Sequence, residues 1–415
     1  MSIASQDHYQ DFYDKKKTTA PERTPLRAKS ACIKNRYKHI LPVSSLVLLV
    51  VILTTCSHTK PFYHDAYGQP PEILLCQENI VQRLLLIGDA GEPEEQAPVL
   101  DKLSEWASRA PAKTTTVFLG DNIYPNGMPD KGAPNRKTVE IHLSSLVDTI
   151  AKSGSRGYFL AGNHDWYQGL EGLIRQEEYI EEKMGKKTVF LPMAGCPGPE
   201  KIDIANIRLI FLDSHLWLYP NIPPREQCPH RDIHSALETL KSYLRTAEGR
   251  HIVVLAHNPL DSHGIHGGFY DWRAHLFPLT FWKRWLWLPL PIIGSLIHPF
   301  LRWQVIKHPQ ELNSPEYKTM IAQFEEAFLA NRPLISAGGH EHSLQVLCGG
   351  KAADYILVSG AGSASHINIV GDGANTLFAH AHTGFMAVDF MTDGSVWLYV
   401  VEPADPDVVF KIKLK

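Results

Sequence analysis

Seven side chains able to hold a metal cation stand at the ends of short apolar runs: Asp89, Asp121, Tyr124, Asn163, His257, His340 and His342. They sit in the corners "GDAG", "GDNIY", "GNHD", "AHNP" and "GGHEH". Two carboxylates, a phenol, an amide oxygen and three imidazoles mix hard and borderline donors. That is too many ligands for one four-coordinate zinc. Two cations a few ångströms apart, sharing one carboxylate, would use the whole set, and such a pair hydrolyses phosphate esters. One ion would hold an attacking hydroxide and the other would neutralise the phosphoryl oxygens. Singly, each corner has an ordinary explanation. Asp89 reads as a turn aspartate, Asn163 as an Asx-turn, and the pair His340 and His342 equally as a metal site or a surface turn. Five such corners in one chain leave those explanations little room.

The corners must be positioned by regular elements. Apolar or β-branched runs at 84–87, 114–119, 158–160, 207–212, 252–255, 333–336 and 355–358 read as strands. Between them, 97–109, 138–153, 170–186, 234–248 and 315–331 have helical spacing and good helix formers. Runs at 385–391 and 395–401, joined by Thr392-Asp393-Gly394, read as a closing hairpin. Strands alternating with helices imply an α/β fold, in which ligands bind beyond the carboxyl ends of the strands. The polar corners would then share one rim.

The chain of 415 residues has a hydrophobic fraction of 44%, enough for a sizeable core. Its net charge of -3 gives no sign of a nucleic-acid partner. Residues 1–39 are polar and basic, and 40–56 are apolar, uncharged and end at Cys56. Such a segment is expected to act as a signal anchor, or as a lipoprotein-type signal with Cys56 lipidated. Its basic flank would leave the remainder outside the cytoplasm, periplasmic or at the cell surface. Residues 57–80 then read as a tether and 81–415 as the catalytic domain. In an exported chain Cys196 and Cys228, both in Pro-rich loops, are candidates to pair, with Cys76 and Cys348 the other candidates.

The order GDAG, GDNIY, GNHD, VLAH, GHEH resembles the signature of calcineurin-like metallophosphoesterases, and more closely the purple acid phosphatase branch, especially its small tartrate-resistant type. The resemblance runs from about Leu84 to the last strands. It implies an αββα sandwich, two mixed β-sheets flanked by helices, with a dinuclear site at the strand ends. Carried over, the first cation takes Asp89, bridging Asp121, Tyr124 and His342, and the second takes Asp121, Asn163, His257 and His340. In the family the first is Fe(III) and the second Fe(II), Zn(II) or Mn(II). The wider superfamily has a histidine two residues after the first aspartate. Here Gly91 stands there, and Tyr124 takes its place.

The resemblance gives His164 a role at the substrate, with Asp165 orienting it. A second active-site histidine should follow the fourth block, where "HNPLDSHGIHGG" offers His263 and His266. His266 matches the tartrate-resistant spacing, and His263 the local Ser-His-Gly context. His366 remains over and reads as structural, and His380 and His382 as pocket-rim or structural residues. Five of the nine tryptophans fall between 272 and 305, within an insert spanning 268–312 that is broken by Pro289 and Pro291. It reads either as a subdomain or subunit contact, or as a membrane-surface segment. The combined reading is a membrane-tethered hydrolase of small phosphate monoesters. A phosphodiesterase or nucleotide hydrolase on the same scaffold, and a non-catalytic binding module, are the rivals.

Overall fold

A computed structural model describes residues 60–64, 79–92, 97–270, 276, 277, 279, 285–290 and 308–415. The basic leader, the apolar segment with Cys56, most of the tether with Cys76, and most of the insert lie outside the described residues. None of the helices among the described residues is long and apolar enough to cross a membrane.

The strands form two sheets. One contains β2 (Ile80–Ile87), β3 (Thr114–Phe118), β4 (Arg156–Phe159), β12 (Phe385–Met391), β13 (Val396–Val401) and β14 (Val408–Lys413). Its order is β14-β13-β12-β2-β3-β4, with β2, β3 and β4 parallel and the C-terminal strands antiparallel. The other sheet contains β1 (Phe62–Tyr63), β5 (Glu200–Ile204), β6 (Ile207–Phe211), β7 (His251–Leu255), β8 (Ile335–Gly338), β9 (Leu344–Cys348), β10 (Tyr355–Ser359) and β11 (Thr376–His380). Its order is β1-β11-β9-β10-β8-β7-β6-β5, and β6, β7, β8 and β10 run parallel.

Leu84, Leu86, Val117 and Leu119 of the first sheet meet Leu209, Phe211, Val253 and Leu255 of the second in a shared core. Three helices cover the outer face of the first sheet: α1 (Pro98–Ser108), α2 (Arg136–Ser153) and α3 (Gly169–Met184). After the short α4 (Ser214–Leu218), the helices α5 (Ile233–Arg245) and α6 (Pro315–Phe328) cover the second. The result is the αββα sandwich expected from the sequence. The helices begin where capping predicts. Asp232 accepts from Ser235 N to start α5, and Ser314 accepts from Tyr317 N with Pro315 following to start α6.

The sheets are also stitched together at one rim. Gly88 N, past the end of β2, donates to Ser359 O at the end of β10, and Gly362 N donates back to Gly88 O. Deeper in, Arg83 on β2 makes a two-pronged ion pair with Asp389 on β12, at 2.7 Å for each contact. Cys196 and Cys228 form a disulfide, as their loops suggested. Cys348 is also disulfide-bonded.

Candidate metal centre

The stitched rim carries the seven donors. Asp89 follows β2, Asp121 follows β3 and Asn163 follows β4, all from the first sheet. From the second sheet, His257 follows β7, His340 follows β8, and His342 precedes β9. The corners share an unusual backbone. Asp89, Asp121 and His340 have φ of 58°, 52° and 66°, the left-handed region that side chains other than glycine seldom adopt. They are three of the six such residues other than glycine among those described, and strain of this kind gathers at functional sites. Close approach also demands glycine beside them. A Cβ at Gly162 would stand 2.2 Å from Asp121 Oδ1, and one at Gly120 would stand 2.6 Å from His257 Nδ1.

The donors form two groups joined by one carboxylate. Tyr124 Oη lies 3.0 Å from both Asp89 Oδ1 and Asp121 Oδ2 and 3.3 Å from His342 Nε2. Asn163 Oδ1 lies 3.0 Å from His257 Nε2 and 3.1 Å from His340 Nδ1. Asp121 Oδ2 connects them, standing 3.6 Å from His257 Nε2. Donor atoms of Asp89, Asp121 and His257 all fall within 4.8 Å of one another.

The outer nitrogens of the imidazoles decide whether this set fits cations. His257 Nδ1 meets Leu119 O at 2.8 Å, His342 Nδ1 meets His366 O at 2.7 Å, and His340 Nε2 meets Gln310 O at 3.2 Å. A carbonyl can only accept, so each outer nitrogen carries the proton. In a neutral ring the inner nitrogen is then a lone pair, and the three inner nitrogens face carboxylate and amide oxygens. Acceptors do not converge on acceptors without a cation or extra protons between them. Backbone carbonyls that fix the outer proton are also how metal-ligating histidines are oriented. The seven residues therefore fit a pair of cations.

The charges agree. Burial, reinforced by His266 and His257, holds His340 well below its ordinary range, so its ring is neutral. Burial also opposes charge on His342, but the Asp89 hydrogen bond and charge prevail and raise it to about 9. A proton there stands in for a cation beside Asp89. Burial, followed by the charges of Asp121 and Asp89, pushes the Tyr124 phenol well above its ordinary value. Ionising that phenol needs a strong positive charge at the same spot.

His164 sits beside the shared carboxylate. Its backbone N donates to Asp121 Oδ1 at 2.8 Å, and its Nδ1 donates to Pro125 O at 2.6 Å. This leaves Nε2 for chemistry. The expectation that Asp165 orients His164 is corrected. The Asp165 carboxylate instead accepts from Gly162 N, Asn122 N, the Asn122 side chain and Gln176 Nε2, pinning the corners to one another.

His263 and His266 are also separated. The His266 ring stacks on His340 at 4.3 Å, and its Nδ1 lies 3.1 Å from Glu311 Oε1. His263 points elsewhere, with Nδ1 2.7 Å from Thr376 Oγ1 and its ring against Phe269. It is therefore not brought to the metal centre. His380 and His382 both pair with Glu402. Two contributors were given no role at the site by the sequence. His366 stacks on Tyr124 at 4.2 Å, and Gln310 reaches His340 through its backbone carbonyl.

The family model described as calcineurin-like phosphoesterase matches residues 82–284, which contain five of the seven donors. Residues 82–284 are similar to a calcineurin-like phosphoesterase domain. No curated protein matches it. Among solved structures, the phosphoesterase fold is similar to GAP50, the anchor in the inner membrane complex of Plasmodium. The TM-score is 0.50 at 16% identity, over 80% of this chain and 88% of that one. A purple acid phosphatase from yellow lupin (Lupinus luteus) seeds aligns with TM-score 0.46 at 16% identity, over 81% and 54%. A 5'-nucleotidase precursor from Thermus thermophilus aligns with TM-score 0.33 at 12% identity, over 80% and 53%.

Proposed function

We propose that the chain hydrolyses small phosphate monoesters at a dinuclear metal centre of the purple acid phosphatase type. The observation that carries this reading is the placement of Tyr124 Oη against Asp89, Asp121 and His342, where Gly91 offers no ligand. Asp89, Asp121, Tyr124 and His342 would hold one cation, Fe(III). Asp121, Asn163, His257 and His340 would hold the other, Fe(II), Zn(II) or Mn(II). Bound cations would supply Lewis acidity toward the phosphoryl oxygens and acidify a water. His164, held through Nδ1, would in its imidazolium form give the Nε2 proton to the departing ester oxygen and end as the neutral ring. His266, held by Glu311, faces the same space from the His340 side.

The test is hydrolysis by the metal-loaded full chain, comparing an aryl monoester with the matching diester. Faster cleavage of the monoester is expected; faster cleavage of the diester overturns the monoesterase reading. The visible spectrum should show a band that Tyr124→Phe abolishes, because phenolate on Fe(III) produces it. An identical spectrum in the variant contradicts the iron assignment.

Membrane attachment through 40–56, with the domain outside the cytoplasm, belongs to the same proposal. The Cys196–Cys228 disulfide supports it, since such bonds persist in oxidising compartments. A non-catalytic anchor is the second reading, favoured by the basic and apolar N-terminal segments together with the fold shared with GAP50. Less than one metal per chain, with no hydrolysis, would support that reading over the first.

A further inference from the structure

His164 packs against two phenol rings, Tyr124 with centroids 4.5 Å apart at 52° and Tyr167 at 4.6 Å and 51°. The two are not equivalent. Tyr124 is buried among the proposed ligands, whereas Tyr167 is 50% exposed, one of six large apolar side chains so exposed among the described residues. Tyr167 is nevertheless held in place. It belongs to the 3₁₀ turn Asp165–Gln168, its ring packs on His164, and its Oη accepts from Asn163 Nδ2 at 3.4 Å.

We propose that Tyr167 is a specificity-determining residue that receives the leaving-group ring of aryl phosphate monoesters. This rests on the phosphatase reading above. With Nδ1 of His164 committed to Pro125 O, the departing oxygen must approach Nε2. A substituent on that oxygen extends away from the metal donors. Tyr124 is buried beside the imidazole, so the substituent would meet the exposed ring of Tyr167. Aromatic rings attract at centroid separations of roughly 4.5–7 Å in offset or edge-on geometry, and a ring bonded directly to the ester oxygen lies within that reach of Tyr167. An alkyl group has no π-face to present, and the base of a nucleoside monophosphate is set back behind its ribose.

The experiment measures kcat/KM of the metal-loaded full chain on phenyl phosphate, glycerol 2-phosphate and adenosine 5'-monophosphate. Wild type, Tyr167→Phe and Tyr167→Ala are compared. Tyr167→Ala should lower the ratio of phenyl to glycerol phosphate roughly threefold to tenfold, mostly through KM, the range expected for one aromatic pair. Tyr167→Phe keeps the ring and should keep the ratio. An equal fall on all three esters means that Tyr167 only positions His164 and overturns the proposal. A fall confined to adenosine 5'-monophosphate overturns it as well. Hydrolysis of every ester with an unchanged ratio overturns this proposal alone, whereas no hydrolysis by wild type overturns the phosphatase reading with it.

Discussion

Asp213 shows how far a single buried group shapes this molecule. It caps α4 through His215 N and accepts from Trp166 Nε1, the neighbour of Asp165 and Tyr167. Burial raises its carboxyl to about 7 from the ordinary 3.8, against the pull of those hydrogen bonds. Between those two values the folded protein binds a proton that the unfolded chain does not. Its contribution is therefore most favourable below the ordinary value and is lost as pH rises through about 7. Asp213→Asn keeps an acceptor for Trp166 and removes the charge. Denaturant unfolding at several pH values should show the variant gaining on wild type as pH rises toward neutrality, then a plateau. A difference that does not change with pH contradicts this account.

At this scale the sequence is informative about donors and less so about their partners. Gly-Asp and Gly-His corners announce themselves because the tight left-handed turn and the close approach leave few alternatives to glycine. The role of Asp165 is hidden because two of its four partners are backbone amides, which no residue type advertises, and the others are side chains from elsewhere in the chain. His366 lies far along the chain from the tyrosine it covers, and a stacking contact leaves no local pattern.

Among the elements, the parallel strands, their helices and the closing hairpin are legible, since each combines an apolar run with a turn or cap. Strands β1, β5, β9, β11 and β14 are not separately expected. They are antiparallel, and their pairing comes from the sheet. The ion pair of Arg83 with Asp389 also lies beyond sequence reading, because it joins β2 to a strand near the other end of the chain. Both side chains are almost wholly buried, and Arg83 also donates to Trp106 O and lies over the Trp106 ring. Asp389→Ala would leave a buried guanidinium with no carboxylate. Chemical denaturation should show a loss of about 3–5 kcal/mol. A loss under about 1 kcal/mol, the contribution of an exposed pair, contradicts the structural role given to it.

For the molecule as a whole, the main finding is that neither sheet completes either ligand group. The first cation would draw Asp89, Asp121 and Tyr124 from one sheet and His342 from the other. The second would draw Asp121 and Asn163 from one, and His257 and His340 from the other. Binding cations would therefore hold the two sheets together at the rim where Gly88, Ser359 and Gly362 already join them. Outside that rim, the described part of the insert carries Trp285 and Trp287, which are 74% and 58% exposed. The measurement that tests the central claim most directly is metal content per chain after reconstitution, for wild type, Asn163→Ala and Asp121→Ala. Two equivalents are expected in wild type, one in Asn163→Ala, and fewer than one in Asp121→Ala, because Asp121 serves both positions. A single equivalent in wild type, or two retained in Asp121→Ala, would contradict a dinuclear centre bridged by that carboxylate.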